Sequence, residues 1–160
     1  MECCPESQIE WTPHRDEEQI FKVVIVYEDV PTGRRAKLFY DKFIHELKND
    51  CVFSLQLWSF QVLAIPEIRE SAADSITQAD FVILSLHGET GLPARMRQWI
   101  ETWSRQISDR GPALIALVDE SMAKDGQNAM TLAYLRGVAR TSRAAFFGHA
   151  FALDVDPKDD

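Results

Sequence analysis

A strand, a short loop bracketed by glycines and an amphipathic helix follow one another between Ala79 and Trp103, and this unit constrains the fold more than any other stretch. Phe81 to Leu86 is a nearly unbroken apolar run, which is typical of a strand covered on both faces of its sheet. Pro93 is predicted to be the first residue of the helix, where proline is well tolerated. The residues that repeat at helical spacing and predict its buried face are Leu92, Met96, Trp99, Ile100, Trp103 and Ile107.

Four further apolar segments predict strands, and segments with helical periodicity separate them. The predicted strands cover residues 21–27, 52–58, 113–118 and 144–153, the last one broken at Gly148–His149. Val30 to Gly33 is expected to be a break that precedes the first helix, and Pro66 is expected to open the second helix. The predicted buried positions of the first and fourth helices are Ala36, Phe39, Tyr40, Phe43 and Leu47, and Met130, Ala133, Tyr134 and Val138.

Five strands that alternate with four helices predict a parallel sheet with helices on both faces, because crossovers of this length are right-handed. The first, third and fourth strands are the most apolar and are placed at the centre, whereas the second alternates apolar with polar residues and is placed at an edge. The sequence thus predicts a three-layer α/β sandwich with a five-stranded parallel sheet of order 2-1-3-4-5, the flavodoxin-like arrangement. This domain is predicted to span residues 21–153, between a flexible leader at 1–20 and an acidic tail at 154–160.

Length and charge exclude several classes of protein. A chain of 160 residues with 46% apolar content can build one core without further support. The net charge of -8 argues against a nucleic-acid or anionic-membrane partner, which needs clustered Lys and Arg. No run approaches the roughly 20 apolar residues of a membrane span, and no signal peptide is recognisable, so a soluble cytoplasmic protein is expected. Cys3, Cys4 and Cys51 are accordingly predicted to be reduced thiols.

Polar residues follow the first, third and fourth strands, whose carboxyl ends are predicted to meet in one crevice of the sheet. Carboxylates gathered there repel one another unless a cation, protons or a neighbouring arginine offsets them. The candidate ligand-binding residues are Asp29, Thr32, Gly33, Ser85, Gly88, Asp119 and Glu120, and the candidate catalytic residues, acting as nucleophile or base, are His87, Glu89, Glu28 and Glu101.

Two interpretations of this crevice are open. In one, Mg²⁺ is a cofactor held by oxygen atoms of Glu28, Asp29 and Asp119. In the other, the carboxylates are solvated or cap the following helices, and His87 is solvated or a capping residue. Phosphate-binding glycine motifs and the G-x-S-x-G nucleophile elbow are absent from the sequence. FMN binding is disfavoured because the first loop, E-D-V-P-T-G, places two carboxylates where a phosphate would bind.

The strand V-V-I-V-Y-E-D, which ends in Glu28 and Asp29, resembles the first strand and acidic pair of the receiver domain of bacterial response regulators. The segment P-A-L-I-A-L-V is similar to the fourth strand of that family. Ser85 stands at the position of the family's phosphoacceptor aspartate, Val118 at that of its hydroxyl residue and His149 at that of its lysine. The resemblance therefore implies a receiver-like signalling or protein-interaction module that is not phosphorylated on an aspartate and works through a protein partner.

A second resemblance is to the TIR domain family, carried by the strand from Ala79-Asp80 to Leu86 and by Trp99 and Glu101 in the following helix. It implies that Glu101 is the candidate counterpart of that family's NAD-cleaving glutamate. The alternative to an interaction module, by analogy with other enzymes of this fold, is a small-molecule enzyme of the nucleotide- or nucleoside-processing type that uses the loops of the crevice.

Overall fold

The computed structural model describes residues 20–47, 52–87, 92–107, 111–119 and 127–151. Within these residues five strands form one parallel sheet, namely β1 (Ile20–Tyr27), β2 (Val52–Ser59), β3 (Phe81–Ser85), β4 (Ala113–Asp119) and β5 (Phe146–Phe151). The described helices are α1 (Val30–Leu47), α2 (Pro66–Thr77), α3 (Ala94–Gln106) and α4 (Gln127–Thr141), and a 3-10 helix (Val62–Ala64) precedes α2.

The strand order is β2-β1-β3-β4-β5, so the predicted α/β fold, the parallel sheet, the order 2-1-3-4-5 and the flavodoxin-like layering are confirmed. The three central strands are buried on both faces, which explains their continuous apolar sequences. β2 lies at an edge, and its side chains alternate between half-buried and exposed over much of its length. The edge position predicted from the alternating polar residues of β2 is therefore confirmed.

The two faces of the sheet carry different helices. α1 packs on one face, where Val23, Ile25 and Ile83 form a core with Ala36 and Tyr40. On the other face α2, α3 and α4 cover the opposite side chains of the same strands, and their core includes the buried face of α3. Because strand side chains alternate in direction, one apolar strand supplies both cores. Both layers leave the carboxyl ends of β1, β3 and β4 next to one another.

The first helix begins earlier than predicted. Val30 to Gly33 belong to α1, not to a break in front of it. Asp29 precedes the helix, its Oδ1 accepts from the Thr32 backbone N–H at 3.2 Å, and Thr32 Oγ1 accepts from the Asp29 N–H at 2.9 Å. This reciprocal capping starts the helix in spite of Pro31 and Gly33, two residue types that also mark turns. A Cβ on Gly33 would lie 2.8 Å from a Tyr27 ring carbon, so this predicted ligand-binding glycine serves close packing.

Pro93 is not the first residue of its helix. α3 begins at Ala94, and Pro93 has an extended ψ of 149°. Its carbonyl accepts the Arg97 N–H at 3.0 Å, so Pro93 stands at the cap position. Proline fixes φ at a value that suits both extended and helical backbone, and the sequence alone does not select ψ.

The predicted buried face of α4 was correct only in part. Val138 is buried and Tyr134 is half-buried, but Met130 is 69% exposed and Ala133 is exposed, and Thr131 and Leu135 are buried instead. Both sets have helical spacing, and apolar residues occur around the whole helix, so periodicity alone could not choose between them. The predicted interruption of the last strand is also wrong, because β5 runs through Gly148 and His149.

Several predictions concern residues outside the described ranges. These are the leader up to residue 19, the tail at 154–160, the three cysteines, and the loop residues Gly88, Glu89 and Glu120. Ile20, assigned to the leader, is the first residue of β1. Among the residues that the structure describes, no helix combines the length and the apolar character needed to cross a bilayer.

Candidate functional site

A cluster of charged and polar side chains occupies the carboxyl edge of the sheet. β1 ends beside Glu28 and Asp29, β3 supplies Ser85 and leads into His87, and β4 ends with Asp119. The backbone of Glu28 donates to the Ser85 carbonyl at 3.1 Å, which ties the ends of β1 and β3 together. We call the following residues the edge cluster: Glu28, Asp29, Arg35, Ser85, His87 and Asp119.

His87 joins three strand ends of the edge cluster. Its Nδ1 lies 2.8 Å from Asp119 Oδ2, and its Nε2 lies 2.7 Å from Asp29 Oδ2. Its backbone N–H also donates to Glu28 Oε1 at 2.9 Å. A protonated imidazole donates from both nitrogens, whereas a neutral one donates from only one. The two carboxylates therefore favour the charged form of His87.

Arg35 is the residue of the cluster that sequence analysis missed. Its side chain is 6% exposed, and its Nη1 forms an ion pair with Asp119 Oδ1 at 2.8 Å. Its Nη2 donates to the carbonyl oxygens of Leu86 at 2.7 Å and Leu117 at 3.0 Å, and its Nε donates to Ser85 Oγ at 3.2 Å. All three guanidinium nitrogens are thus used, as burial of a fixed charge requires.

A signal for Arg35 was present in the sequence. Thr32, Arg35, Ala36, Phe39 and Tyr40 fall at helical spacing on α1, so an arginine stands inside the stripe that faces the sheet. A charged residue in such a stripe needs a partner beneath it. The acidic residues at the ends of β1 and β4 are the partners available to Arg35. A neighbouring arginine is one of the groups expected to offset the charge of these carboxylates.

Ser85 is fully buried, and its hydroxyl is engaged on both sides. It donates to the Thr32 carbonyl at 2.8 Å and accepts from Arg35 Nε. Thr32 is also fully buried, and its Oγ1 accepts from the Glu28 and Asp29 N–H groups. The two predicted ligand-binding hydroxyls therefore hold the first turn of α1 against the sheet.

The electrostatics of the cluster follow from these contacts. Partial burial raises the pKa of Asp29, but hydrogen bonds from Thr32 and His87 outweigh it and hold the pKa below its ordinary value. Burial lowers the pKa of His87, but hydrogen bonds to Asp119 and Asp29 outweigh it and leave the pKa raised. Burial lowers the pKa of Arg35 against the opposing effect of Asp119, and a guanidinium remains charged under such conditions. The repulsion expected among the carboxylates is offset by two cationic side chains of the chain itself.

Two of the three predicted Mg²⁺ ligands, Asp29 and Asp119, lie against these basic side chains. Asp29 contacts His87, Asp119 contacts both His87 and Arg35, and Glu28 accepts from a backbone N–H. In the part of the chain that the structure describes, no three His, Cys, Asp or Glu side chains are grouped so that they could hold a metal ion.

Glu101 lies apart from the edge cluster, in the contact between α3 and α4. Its Oε2 accepts from Tyr134 Oη at 2.8 Å, and its Oε1 is 3.7 Å from Arg105 Nη2. Burial and the Glu101 carboxylate raise the pKa of Tyr134. The structure therefore brings together Glu28, Asp29, Thr32, Ser85, His87 and Asp119, but it gives Glu101 a helix-packing role.

An open groove of about 530 Å³ lies between α2 and α3. Glu70 and Asp74 of α2 face Arg95 and Gln98 of α3 across it, and Trp99 contributes to its wall. Trp99 is itself held by a hydrogen bond from Nε1 to the Arg69 carbonyl at 3.0 Å. None of the predicted site residues that lie within the described ranges lines this groove.

No protein-family model matches this sequence, and no curated protein matches it. The receiver-like and TIR-like resemblances therefore stay predictions from short motifs. The edge cluster is the feature that a functional proposal has to explain.

Raising the pH should destabilise the protein through His87. The pKa of His87 is raised above its ordinary value of 6.5, so its stabilising contribution is complete below that pH and is lost as the pH rises through the folded-state pKa. A tenfold difference in proton affinity between the folded and unfolded states is worth about 1.4 kcal/mol. Urea unfolding at a series of pH values above about 5, where Asp29 is ionised in both states, measures this loss.

Two histidine variants test the assignment. His87→Gln should flatten the pH dependence above 6.5, whereas His45→Gln, on the exposed side of α1, should preserve it. NMR titration of the His87 ring protons should give a pKa above 6.5 that falls in Asp29→Asn. Equal pH profiles for wild type and His87→Gln would contradict the bridging role.

Proposed function

We propose that this protein is a non-enzymatic, receiver-like signalling or protein-interaction module that works in the cytoplasm through a protein partner. The observation that carries the proposal is the occupation of the edge cluster by Arg35 and His87. These side chains lie against the carboxylates of Asp29 and Asp119 at 2.7 to 2.8 Å. These carboxylates therefore already have basic partners within the chain, and the contacts link the ends of the strands instead of leaving the carboxylates to bind a cation.

The state of Ser85 supports the same proposal. Phosphorylation at the end of β3 would need an accessible nucleophile, and the Ser85 hydroxyl is buried and hydrogen-bonded to Thr32 and Arg35. Arg35 would also have to leave a position in which it bonds two backbone carbonyls. Breaking a buried charge network of this kind is costly.

The contacts of His87 disfavour the alternative, a nucleotide- or nucleoside-processing enzyme. A general base needs a ring nitrogen that can reach a substrate proton. Both nitrogens of His87 face carboxylates, and the protonated form that these carboxylates favour has no lone pair to accept a proton. Glu101, another of the four catalytic candidates, accepts a hydrogen bond from Tyr134.

Incubation of the full chain with acetyl phosphate and Mg²⁺ tests the proposal. Intact-mass spectrometry should find the protein unmodified, while a phosphorylatable receiver domain in a parallel reaction gains one phosphoryl group. A phosphoryl group mapped to the edge cluster would refute the proposal.

Thermal unfolding against nucleotides, nucleosides, FMN and Mg²⁺ alone completes the test. A ligand at 100 times its Kd would add about 2.7 kcal/mol of stability, so Tm should stay constant across the panel. A rise in Tm that is lost in Asp29→Asn would favour the enzyme alternative, or the Mg²⁺ site if the metal alone produces it.

A further inference from the structure

The edge formed by β2 and the 3-10 helix after it is the longest uncharged part of this acidic chain. From Cys51 to Pro66 the sequence contains no Asp, Glu, Lys or Arg, although the net charge of the protein is -8. Exposed large apolar side chains are concentrated in the same stretch, at Val52 (59% exposed), Leu57 (45%), Val62 (36%) and Ile65 (46%). Apolar surface of this kind, set in a charged protein, marks an interaction site.

The backbone of β2 also presents hydrogen-bonding groups away from the sheet. Phe60 N–H donates inward to the Tyr27 carbonyl at 2.9 Å, and the β1–β2 register is uniform from Ile20↔Val52 onward. Peptide groups in a parallel strand alternate in direction with a period of two. Those of Phe53, Leu55 and Leu57 therefore point outward from the edge of the sheet.

Natural edge strands are usually protected by a charge, a proline or a bulge, and β2 has none of these in its eight residues. The opposite edge differs, because the Arg136 guanidinium lies 5.2 Å from the Phe146 ring and brings a positive charge to β5. β2 is also the longer of the two edge strands, with eight residues against six in β5, and exposed apolar residues flank it.

We infer that β2 is the surface through which two copies of this chain associate, edge to edge and antiparallel, about a two-fold axis at Gln56. Outward-facing residues must pair with outward-facing residues, and this axis places Leu55 opposite Leu57 of the second copy. The exposed Leu57 side chain then gains an apolar cross-strand neighbour.

A second copy fits this edge better than a partner of other chemistry. An isologous contact requires a self-complementary surface, which an uncharged strand with outward N–H and C=O groups provides. Two copies that carry -8 each repel one another, and a contact through residues 51–66 brings no charged side chain of that segment into the interface. No charge on β2 selects a partner of opposite sign.

The mass of the full chain in solution, measured by analytical ultracentrifugation over a wide concentration range, tests the inference. Wild type should dimerise, and Leu57→Lys and Leu57→Pro should each weaken the dimer by about tenfold or more. Leu38→Lys is the matched control, because Leu38 is 61% exposed on α1, away from the edge. A wild type that stays monomeric, or a dimer that neither Leu57 variant weakens, would overturn the inference. Circular dichroism checks that each variant is folded. If the proline variant is unfolded, the result for Leu57→Lys alone decides the test.

Cross-linking tests the position of the axis. The test uses a full chain whose three native cysteines are replaced by serine. In that chain Gln56→Cys places the two new thiols of the dimer directly opposite each other across the antiparallel pair, at a spacing that a disulfide can bridge. Ser54→Cys, on the same exposed side of β2, places the two thiols four residue rows apart. Oxidation should give a covalent dimer for Gln56→Cys and none for Ser54→Cys, and the reverse result would overturn the proposed pairing.

Discussion

Replacement of Arg35 by methionine should lower the free energy of unfolding by about 3–5 kcal/mol, the usual cost of removing one partner from a buried ion pair. The variant leaves the Asp119 carboxylate and the Leu86 and Leu117 carbonyls without the guanidinium that bonds them. Methionine has a similar length and helix propensity, so the loss reports on charge and hydrogen bonding more than on packing. Urea unfolding at pH 6, followed by circular dichroism, measures the change.

Arg34→Met is the matched control for this prediction. Arg34 is the preceding residue of the same helix and is exposed, so its replacement should change the free energy of unfolding by no more than about 0.5 kcal/mol. Equal stability of the two variants would mean that the Arg35 contacts contribute nothing to folding. That result would also remove the main support for the proposal that ion pairs within the edge cluster hold the strand ends together.

Replacement of Trp103 by alanine should cost about 3–5 kcal/mol, because the indole is fully buried and the space it leaves cannot close completely. Trp103 lies in α3 among the side chains that cover β3 and β4, and its ring packs edge-on against Trp99 at 6.1 Å between centroids. Its loss should therefore loosen the contact between α3 and the centre of the sheet. Thermal unfolding and urea unfolding of the same samples measure the effect.

Trp103→Phe separates the volume of this side chain from its polar atom. Trp103 Nε1 is buried and has no hydrogen-bond partner among the described residues, so phenylalanine removes an unsatisfied donor while it leaves a smaller cavity. The expected loss is about 1–2 kcal/mol, clearly less than for alanine. Arg95→Ala, at an exposed position of the same helix, should be nearly neutral. A phenylalanine variant as unstable as the alanine variant would indicate that Nε1 has an important partner.

The contacts of the edge cluster bear on the proposed function as well as on stability. His87 connects the turn before α1, the segment after β3 and the end of β4. Arg35 connects α1 itself with the segment after β3 and the end of β4. Asp29 and Asp119 are thus paired with basic side chains of the same chain. We expect such contacts to hold the cluster in one arrangement, as the proposed interaction module requires.

The sequence alone determined the features that depend on local order along the chain. Continuous apolar runs identified the central strands, and the alternation in 53–57 identified the edge strand, because burial on one or both faces imposes these patterns. The helical stripe of Met96, Trp99, Ile100 and Trp103 likewise identified the buried face of α3. Since short strands and helices joined in this alternation have few permitted topologies, the order of the sheet followed as well.

Only the tertiary structure decided which charges meet. Arg35 is 50 residues from Ser85 and 84 residues from Asp119 in the sequence, and no periodicity links them. Tertiary packing also decided which face of α4 is buried. The Asp29–Thr32 cap decided that α1 begins at Val30. The physical reason is that the cost of burying a charge depends on the partners that the fold supplies, whereas the local sequence reports only on average burial.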